Sequence, residues 1–112
     1  MSASTRKHRY WVYIVASKPH GTLYIGVTNS LERRIWEHKT GAIAGFTKHY
    51  GLKTLVHFEE YQEITDAIDR EKALKGWLRI RKTALIRQHN PFWKDLAADW
   101  YHVQMDSSLR SE

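Results

Sequence analysis

The sequence contains no cysteine, so it can hold no disulfide framework, no thiolate metal site and no cysteine nucleophile. A structural zinc centre is not expected either. No apolar run approaches the roughly 18 residues needed to span a bilayer. The opening residues, Met1 to Arg9, are polar and basic and lack the apolar stretch of a signal peptide, so the expectation is a soluble, cytoplasmic protein. Acidic residues are the minority: 12 Asp and Glu against 18 Lys and Arg leave a formal charge of +6. That balance favours a polyanionic partner and by itself does not choose between nucleic acid and an anionic membrane surface. Internal repeats and low-complexity segments are absent, and 112 residues suffice for one core with little room for a second. No separate specificity domain is expected, and any catalysis must use carboxylate, imidazole, phenol, hydroxyl or guanidinium groups.

What is present reads as a basic arm over residues 1–8, a folded domain over 9–100 and a polar tail over 101–112. The run Tyr10-Trp11-Val12-Tyr13-Ile14-Val15 is aromatic and β-branched, the composition of a buried strand. Ser17-Lys18-Pro19-His20-Gly21 is a hairpin loop, and the return strand from Thr22 to Thr28 brings Tyr13 and Tyr24 near one another. A helix follows, capped at Asn29 or Ser30, with Glu32 completing a capping box, and it stops at Gly41. On that helix Leu31 and Ile35 define an apolar side, His38 falls beside Leu31, and Arg34 flanks the same side. From Lys39 to Leu52 the pattern is that of a mobile basic loop with at most one helical turn. Thr54 to Tyr61 reads as a third strand, followed by a helix over about 65–80 and a shorter one over about 82–89 that ends before Asn90-Pro91. Phe92, Trp93, Leu96 and Trp100 are expected to pack back onto the core. Strand, strand, helix, strand, helix, helix is the order of an α+β domain, a small sheet packed against helices.

One residue stands out on the longer helix. Ile64, Ala67, Ile68, Glu71, Leu74 and Leu78 share an arc, with Glu71 near its middle. An unpaired buried carboxylate costs several kcal/mol, so Glu71 needs a cation, a metal or a solvent-filled cleft beside it. Lys75, four residues on, is the nearest candidate cation.

Tyr13, Tyr24, Arg34, His38 and Glu71 together form an inventory for cutting a phosphodiester. Hydrolysis needs a base for water, a cation against the developing charge, and usually a divalent metal at the leaving oxygen. A phenol or the imidazole can be the base, Arg34 the cation, and Glu71 can hold Mg²⁺. The spacing resembles the GIY-YIG nucleases over roughly Tyr10 to Leu96. The first motif stands as Trp11-Val12-Tyr13 and the second, eleven residues beyond Tyr13, as Tyr24-Ile25-Gly26. Arg34, ten residues after Tyr24, matches the family's arginine in preference to Arg33, and His38 matches its His or Tyr four residues later. Glu71 matches the metal-binding glutamate and Asn90 the late asparagine. The sequence departs from the family at Trp11, in place of the leading glycine, and at Val27, where the repair-endonuclease branch has a lysine.

The resemblance implies a three-stranded antiparallel sheet flanked by helices, one divalent ion, Mg²⁺ or Mn²⁺, on Glu71, and a tyrosine as general base. It implies a metal-dependent endonuclease acting on nucleic acid, DNA before RNA, with a structure-selective role in repair or recombination and no membrane association. Gly26 and Asn90 are read as structural or substrate-positioning residues, with a helix stop before Pro91 the equal alternative for Asn90. Lys39, Lys48, His49, Arg79, Arg81, Lys82 and Arg87 are read as a diffuse phosphate-contacting surface. The alternative is a non-catalytic nucleic-acid-binding module of the same fold. A protein partner and the oligomeric state stay open.

Overall fold

The computed structural model describes residues 8–42, 45 and 49–101. Lys48, most of the basic arm and the tail beyond Tyr101 lie outside the described residues. The elements are β1 (Tyr10–Ala16), β2 (Leu23–Thr28), α1 (Leu31–Thr40), β3 (Thr54–Tyr61), α2 (Ile64–Gly76) and α3 (Arg79–His89). The strands form an antiparallel sheet in the order β2-β1-β3. The expected α+β class and three-stranded antiparallel sheet are both found.

β1 is central because its residues are apolar on both sides. Alternation sends Val12, Ile14 and Ala16 to one face, against Ala67 and Leu74 of α2 and Ile86 of α3. Tyr13 and Val15 point to the other face, against Leu31 and Ile35 of α1 and Ala97. Tyr13 lies opposite Gly26 of β2 and Phe58 of β3. The register with β3 shifts between Ile14 and Val15. Among the described residues no helix is long and apolar enough to cross a membrane.

Three local expectations are corrected. Ser30 is the N-cap of α1 and makes no side-chain cap bond, so the capping box with Glu32 does not form. The Ser30 amide instead donates to Thr28 Oγ1 at 3.0 Å, a tight turn that uses the β2 terminus. Gly41 does end α1, in the left-handed conformation at φ 75° that glycine adopts without strain.

The helix expected over 65–80 breaks after Gly76, where Trp77 and Leu78 are extended. The Trp77 ring is held between the guanidinium groups of Arg70 and Arg81, at 5.1 and 3.9 Å. Those contacts stabilise the break that Gly76 permits. Leu78, assigned to the core arc, is consequently 73% exposed at the N-cap of α3.

Of the four C-terminal apolar residues, Trp93 is buried and Trp100 packs partly against the α1 face, whereas Phe92 and Leu96 are exposed, at 77% and 38%. What anchors this segment is polar. Asp95 accepts the Leu55 and Ala97 amides and pairs with Lys39, and Leu96 N donates to Leu55 O. Asn90 bridges the same region, donating to Val56 O and Lys94 O and accepting the Lys94 amide. Its removal leaves buried backbone groups unpaired. Asn90→Ala is therefore expected to cost about 2–3 kcal/mol in urea unfolding, and a change under about 0.5 kcal/mol would show that the bridge contributes nothing.

A second polar network ties β3 to α2. Glu59 receives Tyr61 Oη at 2.8 Å, Arg70 Nε and Nη2 at 2.8 and 3.0 Å, and lies 2.8 Å from His57 Nε2. Burial alone would raise Glu59, but the hydrogen bonds from His57, Arg70 and Tyr61 outweigh it and hold the carboxyl well below its ordinary range.

Candidate active site

The site is built on the pairing of Tyr13 with Gly26. A Cβ at residue 26 would fall 2.6 Å from Tyr13 Oη and 2.7 Å from Cζ, so the phenol lies against a backbone that only glycine leaves open. From there Tyr13 Oη reaches His38 Nε2 on α1, at 2.9 Å. The Tyr24 ring completes a three-ring cluster, with its centroid 6.3 Å from Tyr13 and 5.7 Å from His38. Tyr13 is 2% exposed and Tyr24 is only partly buried, so Tyr24 is the more accessible phenol.

The charges around this cluster set its protonation. Burial pushes the Tyr13 phenol above its ordinary range, Tyr24, Glu37 and Glu71 push it further, and Arg34 opposes them. Burial, then Arg34, lowers His38 to about 4. Both groups are thus neutral near pH 7 and share one hydrogen bond between Tyr13 Oη and His38 Nε2, whose donor is set by the ring tautomer. The other ring nitrogen, Nδ1, is buried and has no partner among the described residues.

A histidine kept neutral by folding has a signed effect on stability. The His38 value of about 4 lies below the roughly 6.5 of an unfolded histidine. Its contribution is complete above pH 6.5 and is lost as pH falls from 6.5 towards 4, a loss of roughly 3 kcal/mol. His38→Gln should therefore flatten the fall in urea midpoint between pH 6.5 and 4. Identical slopes for the two proteins would refute a neutral His38.

Arg34 and Glu71 approach from different helices and both act electrostatically on Tyr13. Arg34 is half-exposed and pairs with Glu37 one turn on, at 3.3 Å. The Glu71 side chain is 13% exposed and pairs with Lys75 Nζ at 2.5 Å. The carboxylate is largely buried and has the cation four residues on as its partner. As a metal donor it stands apart: among the described residues no three His, Cys, Asp or Glu cluster together. A single hard carboxylate oxygen, with water completing the shell, fits Mg²⁺ or Mn²⁺ and does not fit zinc.

Among the described basic residues, several already have partners. Lys39 is spent on Asp95 and Lys53 O. Arg79 donates to Gly21 O at 2.5 Å, Arg81 stacks on Trp77, and His49 stacks on Tyr50 at 4.8 Å. Arg87 is exposed and Lys82 partly buried, both on α3. Two residues near the site went unnoticed in the sequence. Glu37, which faces Arg34 and bears on both Tyr13 and His38, was signalled by its (i, i+3) spacing from Arg34. Asp95 carries no such signal, since its partner Lys39 is 56 residues away.

Residues 9–84 match the family model described as the GIY-YIG catalytic domain. The chain is 35% identical over 79 residues to a UPF0213 protein of Haloquadratum walsbyi, spanning 70% of this chain and 88% of that protein. It is 40% identical over 76 residues to a UPF0213 protein of Clostridium perfringens, spanning 68% and 81%. The solution NMR structure of a UPF0213 protein from Bacillus halodurans superimposes with a TM-score of 0.51 at 25% identity, covering 81% of this chain and 95% of that one.

Proposed function

This chain belongs to the GIY-YIG family of nuclease catalytic domains, and from that premise we propose that it is a metal-dependent endonuclease hydrolysing phosphodiester bonds in DNA, with selectivity for the DNA structures of repair or recombination. The observation that carries the proposal is the cluster of two phenols and an imidazole: Tyr13 Oη lies 2.9 Å from His38 Nε2 and the Tyr24 ring packs beside both, with Arg34 and Glu71 among the charges that act on Tyr13.

Each residue has a definable task. Arg34 exchanges Glu37 for the scissile phosphate and opposes the charge that develops on its oxygens. With its ring proton on Nδ1, His38 accepts the Tyr13 hydroxyl at Nε2, orients it and leaves its oxygen lone pairs for an incoming water. The phenol takes the proton of that water while passing its own to His38 Nε2, whose basicity a phosphodiester anion seated on Arg34 would raise from its value in the free protein. A phenol too basic to ionise at neutral pH suits this exchange better than a preformed phenolate. Tyr24, more accessible, is the second phenol able to receive that proton. Glu71 is the residue that would hold Mg²⁺ or Mn²⁺, which when bound supplies charge neutralisation at the leaving oxygen. Lys75, half exposed, would be solvated wherever Glu71 turned from it to a metal. Arg87, exposed, and Lys82, partly so, supply phosphate contacts that weaken with salt.

The test is a panel of branched, nicked and single-stranded DNA and RNA incubated with the full chain in Mn²⁺ and in EDTA. Cleavage of DNA in Mn²⁺ and none in EDTA is expected. Salt-sensitive binding without nicking at any Mg²⁺ or Mn²⁺ concentration would make the protein a binding module instead.

A further inference from the structure

Beside Arg34 the surface is not uniformly polar. A groove of about 270 Å³ is lined by Tyr10, Val27, Thr28, Asn29, Arg34 and Ile64. Part of its lining is apolar: Tyr10 and Val27 are partly buried against the core, and Ile64, the first residue of α2, is left 40% exposed. Its rim is polar, with Arg34 on one wall and the exposed Asn29 at the turn into α1. Ile64 was placed on the core arc of its helix, yet it completes an open wall. A single exposed isoleucine needs no explanation. An isoleucine, a valine and a tyrosine assembled next to the candidate phosphate-binding arginine do.

The chemistry of the ligand follows from that pairing of surfaces. A phosphodiester seated on the Arg34 guanidinium necessarily carries nucleosides on both sides, and one of them must lie against whatever adjoins the arginine. Apolar lining and polar rim are complementary to the faces and edge of a nucleobase. The volume is below the about 300–1,000 Å³ of pockets that enclose drug-sized ligands, so it suits one base and not a base pair. We propose that this groove is the subsite for the base of the nucleotide adjoining the phosphate held by Arg34, with Tyr10, Val27 and Ile64 against its face and Asn29 hydrogen-bonded to its edge. The assignment rests on the nuclease reading and adds specificity-determining residues to it.

Binding without turnover tests it. The affinity of the full chain for a short DNA oligonucleotide is measured by fluorescence anisotropy in EDTA, with a single abasic nucleotide moved through every position. One position is expected to weaken binding by about tenfold. Ile64→Ala and Asn29→Ala, each an exposed substitution whose folding is checked by thermal melting, should weaken binding to the intact oligonucleotide. Either substitution should also shrink the abasic penalty to less than about twofold, because the base and its groove act as a unit. If abasic scanning finds no sensitive position, or the penalties simply add, the subsite is wrong while the nuclease reading stands. If no oligonucleotide binds in a salt-sensitive way, the nuclease reading itself falls and takes the subsite with it.

Discussion

Glu71→Ala is expected to lower cleavage by about 10³-fold or more while leaving affinity for nucleic acid within about twofold. The asymmetry comes from where the residue sits. Glu71 is the largely buried carboxylate of α2, it acts on the Tyr13 phenol, and it is the donor proposed for the metal. Phosphate contacts elsewhere on the surface do not depend on it. Folding should survive, because the cation that loses its partner, Lys75, is about half exposed and can be solvated. A thermal melt within a few degrees of wild type would confirm that the protein assayed is intact. Undiminished cleavage in Mn²⁺ by this variant would remove Glu71 from the mechanism.

The second large effect is expected at a residue with no side chain. Glycine to alanine inside a strand ordinarily stabilises, since glycine loses more conformational freedom on folding. At residue 26 the sign should reverse, because the new methyl would lie 2.6 Å from Tyr13 Oη and 2.7 Å from Cζ. The ring is buried between α1 and the sheet and is held by His38, so it cannot swing aside freely. Gly26→Ala should cost about 1–3 kcal/mol of stability by overpacking. It should also cost about 100-fold in cleavage, the scale of a 1 Å misplacement of a reacting group. Tyr13→Ala supplies the control. In that background the methyl meets no ring, and Gly26→Ala should become neutral or stabilising. Equal destabilisation in both backgrounds would show that the clash is not the cause.

Both predictions begin from residue types and distances along the chain, and the same is true of much of the fold. The aromatic and β-branched run at β1, the Pro-Gly hairpin, the apolar stripe of α1 and its stop at Gly41 are local signals, and each marks an element that is found. The break at Trp77 was not legible, because the ring is held by Arg70 and Arg81 only once both helices are in place. The exposure of Leu78 was missed for a related reason: helical phase says which residues share a side, not whether anything packs there.

For the candidate site the division is similar. The residue types and their spacing were readable, including the electrostatic need of an inward Glu71 for a cation. The sequence alone determined that a cysteine-free basic chain carries two tyrosines, an arginine, a histidine and a glutamate on successive elements of an α+β domain, because periodicity and turn chemistry are local. Only the tertiary structure decided that Tyr13 bonds to His38 across 25 residues, that Gly26 clears the space for it, and that Lys39 is captured by Asp95. It also turned Ile64 from a core residue into the wall of a groove beside Arg34. These are contacts between elements, set by strand register and helix packing, and no window of sequence contains both partners.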